Sequence, residues 1–281
     1  MKAEVKKVFV EKKKVPSYLN KTHIAIIPKV QGLETIGNYR PISLCNTAYK
    51  IITKITVARL RPILGEFISP FQTAFLPRRR GTDNDIIVQE LIHTISKKNG
   101  RVGYMAIKID LEEAYNKLEW SFITDILGKV NLSKNLIQVI MSCMSTISTI
   151  VLFNRGYLEE FCPSKGIRQG DPLSPYLVII CMDYLGQFIQ EMCEENIWIP
   201  IKPLEVDRLF LIYSLLTTLC CLLELTTQIV QPYEIFWMSF VLFLDKLSVN
   251  PSLDYISPPM WIMIQRNPSV ISLVFSPLQQ L

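Results

Sequence analysis

The residues of this chain able to do chemistry fall in a few short stretches. Ala106-Ile-Lys-Ile-Asp110 alternates weakly, as a half-buried strand does, and ends on a carboxylate. Such a group is poorly solvated unless a cation meets it, so Asp110 suits a metal ligand; capping the next helix is the alternative. Gly166-Ile-Arg-Gln-Gly-Asp-Pro-Leu-Ser-Pro175 is the densest stretch. Gly166 and Gly170 let a backbone approach a ligand closely or take positive φ, and Pro172 and Pro175 fix the entry to a helix. Arg168, Gln169 and Asp171 supply the polar groups. Arg78, Arg79 and Arg80 are adjacent cations that can hold phosphates without reading sequence, or form a solvated basic turn. Lys29 and Arg40 complete the set, the latter in Asn38-Tyr-Arg-Pro-Ile-Ser-Leu44, where a guanidinium can grip an anion bidentately.

The elements that must position these groups read as α+β. Thr22 to Val30 is a β-branched run suited to a strand, and Val102 to Ile109 a second strand leading to Asp110. Apolar spacing predicts a helix over Tyr49 to Leu64 and another from Thr82 or Asp83 through Ile95. Leu127 to Ser145 and Tyr176 to Glu194 read as helices, and Thr149 to Phe153 as a hairpin arm turning at Asn154-Arg-Gly156.

Composition divides the chain near residue 200. Residues 1–200 carry 26 Lys+Arg against 19 Asp+Glu, whereas 201–281 carry 4 against 6, so a polyanionic partner belongs to the first part. All 11 glycines lie between Gly32 and Gly186. A tail of this length at average usage would hold about six or seven. Five prolines from Pro251 to Pro277 break any long helix there, and the tail is expected to be irregular and apolar. Seven cysteines without a CxxC pair favour reduced thiols and an intracellular setting, nuclear or cytoplasmic. Met1 to Lys14 has six lysines and no apolar run behind them, unlike a secretory signal. Leu209 to Leu223 is uncharged but shorter than the roughly 20 residues a membrane span needs.

The Gly166–Pro175 run resembles the nucleotide-handling motif of reverse transcriptases, specifically those of non-LTR (LINE-type) retrotransposons common in plant genomes. NYRPISLCN around Arg40, the ISPFQTAF and Arg78–Arg80 segment, and the Asp110 to Asn116 segment are similar to further family blocks in the same order, over roughly residues 1–200. The resemblance implies a right-hand polymerase: fingers over 1–100, a partial ferredoxin-like palm over 101–207, and a non-family tail over 208–281, with no endonuclease domain upstream and no intact thumb. It gives Asp110 the catalytic Mg2+ ions, Tyr115 the closing of the sugar pocket, and Gln169 and Gly170 contact with the nucleotide. Lys29 and Arg40 would hold the triphosphate, and Arg78, Arg79 and Arg80 the template. Partners would be an RNA template, a DNA primer and deoxynucleoside triphosphates, with no membrane. Asn116 departs from the family, which commonly has a second Asp there.

Two-metal phosphoryl transfer needs several carboxylates around ions about 4 Å apart. The family takes the others from an aromatic-Ala-Asp-Asp hairpin about 40 residues after the Gln-Gly loop. This chain has Ser214-Leu-Leu-Thr-Thr-Leu-Cys-Cys-Leu222 there, without an acid. In the reading frame one base back, codons for Ser214 to Cys221 can encode Phe-Ala-Asp-Asp-Leu-Val-Leu. The single-codon pair Trp237-Met238 forces an Asp in that frame, and Trp261 followed by Ile262 forces another. We read a frameshift between about Asp207 and Leu211, which a gene-model or splicing error would imitate, leaving an inactive remnant of an RNA-directed DNA polymerase. A catalytically dead nucleic-acid-binding module is the rival, and a small protein anchored by Leu209 to Leu223 a weaker one. Residues 1–200 should hold RNA or DNA without sequence preference and with affinity falling steeply with salt. Unchanged binding after Arg78, Arg79 and Arg80 become Ala, measured by filter retention, would remove the template role from that turn.

Overall fold

The computed structural model describes residues 5–6, 8, 13–29, 38–70, 72–80, 82, 86–87, 89–90, 93, 97, 103–110, 114–195, 212–214, 218–225, 261–267 and 270–275. In chain order the elements are strands β1 (Lys21–Pro28) and β2 (Tyr39–Cys45), helix α1 (Thr47–Phe67), strand β3 (Gly103–Asp110), and helices α2 (Ala114–Lys117), α3 (Trp120–Lys129) and α4 (Lys134–Ser145). Strands β4 (Ser148–Phe153) and β5 (Gly156–Tyr157) and helix α5 (Ser174–Glu194) follow. Strands β6 (Ile212–Ser214), β7 (Thr218–Leu225), β8 (Trp261–Asn267) and β9 (Val270–Phe275) close the order. The fold is α+β, as expected. The helix expected from residue 82 to Ile95 lies largely outside the described residues.

The chain divides into two compact units, Met1–Leu64 with Ala114–Val178, and Gly65–Glu113 with Ile179–Leu281. The first holds a mixed four-stranded sheet in the order β2-β1-β4-β5. Strand β1 pairs antiparallel with β2, Thr22 opposite Cys45, and parallel with β4, Thr22 opposite Thr149. Thr22, Cys45 and Thr149 are buried across that register, and they mark the core face. In α1 the buried positions Tyr49, Ile52, Thr53, Thr56 and Leu60 recur at three- and four-residue spacing.

Residues 127–145, expected as one helix, are two. Asn131 takes a φ of 60°, the left-handed conformation that ends α3 and that Asn tolerates. Ser133 then caps α4, its hydroxyl accepting from the Leu136 N–H. Sequence periodicity ran through this corner because Leu127, Val139 and Ile140 remain apolar on both sides of it. At the β4–β5 hairpin Asn154 and Arg155, with φ of 47° and 63°, are the two central residues, and Gly156 opens the second strand.

The second unit holds a five-stranded sheet in the order β6-β7-β3-β8-β9. Here the structure departs from the expected irregular tail, whose described stretches are strands. β7 runs antiparallel to β3 with Asp110 opposite Thr218, and β8 flanks the other edge with Lys108 opposite Trp261. Runs such as Thr218–Leu225 and Val270–Phe275 are rich in Leu, Val and Ile, and apolar runs of this kind pair with any open strand edge whatever their origin. β6 and β7 pair antiparallel, with Ser214 opposite Leu219. The stretch 209–223 is therefore strand where described. No helix among the described residues is long and apolar enough to cross a membrane.

Replacing Ser133 by Ala should lower stability by about 0.5–1 kcal/mol in urea titration, because it removes the hydroxyl that shares the Leu136 N–H with the Ser133 carbonyl. Asn131→Val should cost more than Asn131→Gly, since only the former is strained at positive φ.

Candidate functional site

The Gly166–Pro175 loop lies in the first unit and is stitched into it by backbone bonds on two sides. Gly166 has φ +80°, and a Cβ there would lie 2.7 Å from the Asn116 carbonyl oxygen and 3.0 Å from that of Tyr115. Only glycine permits that approach. The Gly166 N–H donates to the Leu118 oxygen at 2.8 Å and the Ile167 N–H to the Tyr115 oxygen at 2.6 Å. Trp120 Nε1–H donates to the Gly166 oxygen at 2.8 Å. Across the loop the Ser43 N–H of β2 donates to the Gln169 oxygen at 2.8 Å. Gly170 has φ +98° and passes so near Ser43 that a Cβ would sit 3.0 Å from its oxygen.

Between these two seams the Arg168 side chain turns inward, with 8% of its surface exposed. Its guanidinium donates to Asn20 Oδ1 at 2.8 Å, Thr22 Oγ1 at 2.6 Å, the Cys143 oxygen at 3.3 Å and Asp171 Oδ2 at 3.1 Å. It also stands 4.1 Å over the centre of the Tyr49 ring. The Tyr49 hydroxyl donates to Asp171 Oδ2 at 2.5 Å, and Asp171 Oδ1 accepts from the Leu173 N–H at 3.0 Å, fixing the first turn of α5. Asn20 Nδ2 donates in turn to the Cys143 oxygen and Thr146 Oγ1. Burial, with Cys143 and Asp171 nearby, pushes the Tyr49 phenol well above its ordinary value, and burial lifts the Cys143 thiol to about 12. Both stay neutral, so Arg168 and Asp171 are the charged pair of this core.

Gln169 lines a cavity of about 230 Å³ together with Asn116, Lys165, Ser43 and Ile24. Tyr115 is half-buried, and burial raises its phenol. Lys29 and Arg40 are both exposed; the Lys29 N–H donates to the Asn38 oxygen, and Arg40 lies opposite Ile27 in the β1–β2 register. In the second unit Arg78 and Arg80 are exposed. Arg79 is spent on its own segment, donating to the Ser69, Gln72 and Ile68 oxygens at 2.5, 2.6 and 3.4 Å. Asp183 of α5 anchors the same segment, accepting from the Ser69 N–H at 3.0 Å and from Gln187 at 2.8 Å, and burial raises its carboxyl.

Asp110 is the last residue of β3. Its cross-strand neighbour on β7 is Thr218, and the acid of that strand, Glu224, lies opposite Tyr104 at the other end. Six residues of strand separate two such positions by about 20 Å. Among the described residues no three His, Cys, Asp or Glu side chains form a group that could hold a metal ion. The described residues thus assemble no two-ion Mg2+ centre.

Tyr49, Asn20, Thr22 and Trp120 were not legible as site residues. Their partners lie far along the chain, and each type also serves as ordinary core or cap. Arg168→Met should cost about 3–5 kcal/mol by denaturant titration, because it leaves Asp171 buried without its cation. Asp183→Asn should raise the melting temperature at neutral pH. With a folded pKa above the unfolded one, Asp183 is penalised once ionised, so that advantage should vanish as pH falls toward the unfolded Asp range.

The sequence model of the family described as reverse transcriptase (RNA-dependent DNA polymerase) matches residues 27–204. The transposon TX1 uncharacterized 149 kDa protein of Xenopus laevis is 25% identical over 173 residues, 62% of this chain and 13% of that protein. The retrovirus-related Pol polyprotein from the type-2 retrotransposable element R2DM of Drosophila melanogaster is 29% identical over 171 residues, 61% of this chain and 16% of that protein. The chain therefore spans about a sixth or less of the length of these relatives. The structure of telomerase from Candida tropicalis in complex with a TWJ fragment of telomeric RNA superposes with a TM-score of 0.52 at 14% identity. It covers 87% of this chain and 42% of that one, a likeness of fold.

Proposed function

The chain belongs to the reverse transcriptase family, related to the proteins of the non-LTR elements TX1 and R2, and from that premise we propose that it is a plant-type LINE remnant which retains nucleotide- and template-holding parts without a working metal centre. The observation that carries the reading is the double seam of the Gln-Gly loop, tied to Tyr115 on one side and to Ser43 on the other. It holds Gln169 and the Tyr115 backbone within one rigidly bonded structure.

In this reading Tyr115 closes on the sugar of a deoxynucleoside triphosphate, Gln169 touches that sugar, and Gly170 lets the backbone come near. Lys29 and Arg40 take the triphosphate. Arg78 and Arg80 meet RNA-template phosphates while Arg79 holds their turn, and a DNA primer is the strand to be extended. Asp110 is the surviving ligand for Mg2+, which would supply charge neutralisation at the transferred phosphate. Fingers over 1–100, a partial palm over 101–207 and a non-family tail over 208–281 describe the chain in the same terms, and its setting is intracellular. A frameshift between about Asp207 and Leu211 accounts for the tail: the family match stops at residue 204, the basic excess is confined to residues 1–200, and no glycine follows Gly186. The strands of the tail are compatible with this origin, since backbone pairing asks only for apolar, β-prone residues. Nucleic-acid binding without catalysis is the second reading, favoured by the basic excess of residues 1–200 and by the acid-free stretch Ser214 to Leu222.

The chain should give no Mg2+-dependent primer extension on an RNA template. Template-directed incorporation abolished by Asp110→Ala would contradict this. Moving the frame back one base from about codon 208 should restore the aromatic-Ala-Asp-Asp hairpin and measurable extension, while unchanged inactivity with a folded product would count against the frameshift.

A further inference from the structure

The turn between α2 and α3 and the start of the Gln-Gly loop are bonded more tightly than a connection between surface segments requires. Gly166 is packed against the carbonyls of Tyr115 and Asn116 at a distance no side chain could share. Its N–H is taken by Leu118, the next N–H by Tyr115, and its carbonyl by the Trp120 indole. Three hydrogen bonds in two consecutive peptides thus converge on a segment of six residues. The Trp120 bond is the one made by a side chain, from the first residue of α3, which Ile123 and the following buried residues anchor to the core.

We propose that Trp120 is a positioning residue for sugar discrimination: through the Gly166 carbonyl it sets the height of the loop against the Tyr115 backbone, and so the depth at which Tyr115 stands beside a nucleotide sugar. This rests on the reading of Tyr115 and Gln169 given above. Trp120 touches no nucleotide in this account. If the indole bond is lost, Gly166 and Ile167 are still held by their N–H bonds to Leu118 and Tyr115, but the peptide between them can tilt about those two bonds and strain the second. The half-buried Tyr115 ring then moves relative to Gln169, and a ribose 2′-hydroxyl is excluded less strictly.

The test uses the full chain with Trp120→Phe, which keeps an aromatic body and removes the donor. Amide hydrogen exchange at Gly166 and Ile167 reads the clamp without any ligand. Binding of fluorescent dATP and ATP, with their affinity ratio, reads discrimination. Exchange at Ile167 should rise about five-fold, the effect of one net hydrogen bond. The dATP to ATP preference should shrink by a similar factor, while the melting temperature changes little. Gly166→Ala should narrow the ratio in the same direction by forcing the carbonyls of Tyr115 and Asn116 away. Tyr115→Ala separates the two levels of the argument. A ratio moved by Tyr115→Ala and untouched by Trp120→Phe overturns the role of Trp120 alone. A ratio moved by neither overturns the sugar-pocket reading of Tyr115, and the proposal with it. Unchanged exchange at Ile167 in Trp120→Phe overturns the proposal at the clamp itself.

Discussion

The first unit depends on a guanidinium that water does not reach. Arg168 can be charged in the interior because four acceptors and the face of an aromatic ring replace its hydration, and because Asp171 three residues later balances it. Each acceptor belongs to a different piece of chain: the end of the Ser17–Leu19 turn, the start of β1, the last turn of α4, and the entry to α5. A hydrophobic core would tolerate small slippage among these pieces, whereas a planar fork with fixed directions does not. Polar burial of this sort contributes little net stability but specifies one arrangement, since any register that leaves a partner unmatched costs several kcal/mol.

That specificity has a visible beneficiary. Gln169 lies between Arg168 and Gly170, so its backbone has no freedom beyond what the guanidinium and the Ser43 bond allow. A loop that needs two glycines at positive φ would otherwise be among the most mobile parts of the chain. The buried cation turns it into a fixed edge of a small cavity. The second unit repeats the idea with different chemistry: Arg79 and Asp183 spend their charges on backbone groups of residues 68–72, so that exposed Arg78 and Arg80 project from a held turn.

Much of this was legible in the sequence, for physical reasons. The strands at Lys21–Pro28 and Gly103–Asp110, the long helices α1 and α5 and the β4–β5 hairpin follow from side-chain period and turn chemistry, which are local. The α3–α4 corner was missed because its signal is a single Asn in a left-handed conformation, and apolar periodicity hides such a residue. The tail strands were missed because prolines and absent glycines predict where helices cannot run, and say little about whether an apolar run will find a strand edge. Asp110, Gln169 and the arginines stand out as candidates by residue type and neighbourhood. Tyr49, Asn20 and Trp120 do not, because the interactions that give them meaning join positions more than a hundred residues apart, or in the case of Trp120 a carbonyl that any residue carries.

The parallel pairing of β1 with β4 has a consequence for how the molecule comes into being. Lys21 meets Ser148, and the residues between them must leave the ribosome before the sheet can close. At about 5–20 residues per second the first strand and its β2 partner wait on the order of ten seconds as an open hairpin, the β1 edge that β4 will take still unpaired. The chain is born with an unpaired edge and a delayed partner, and pairing of that edge with another chain competes with folding during the wait.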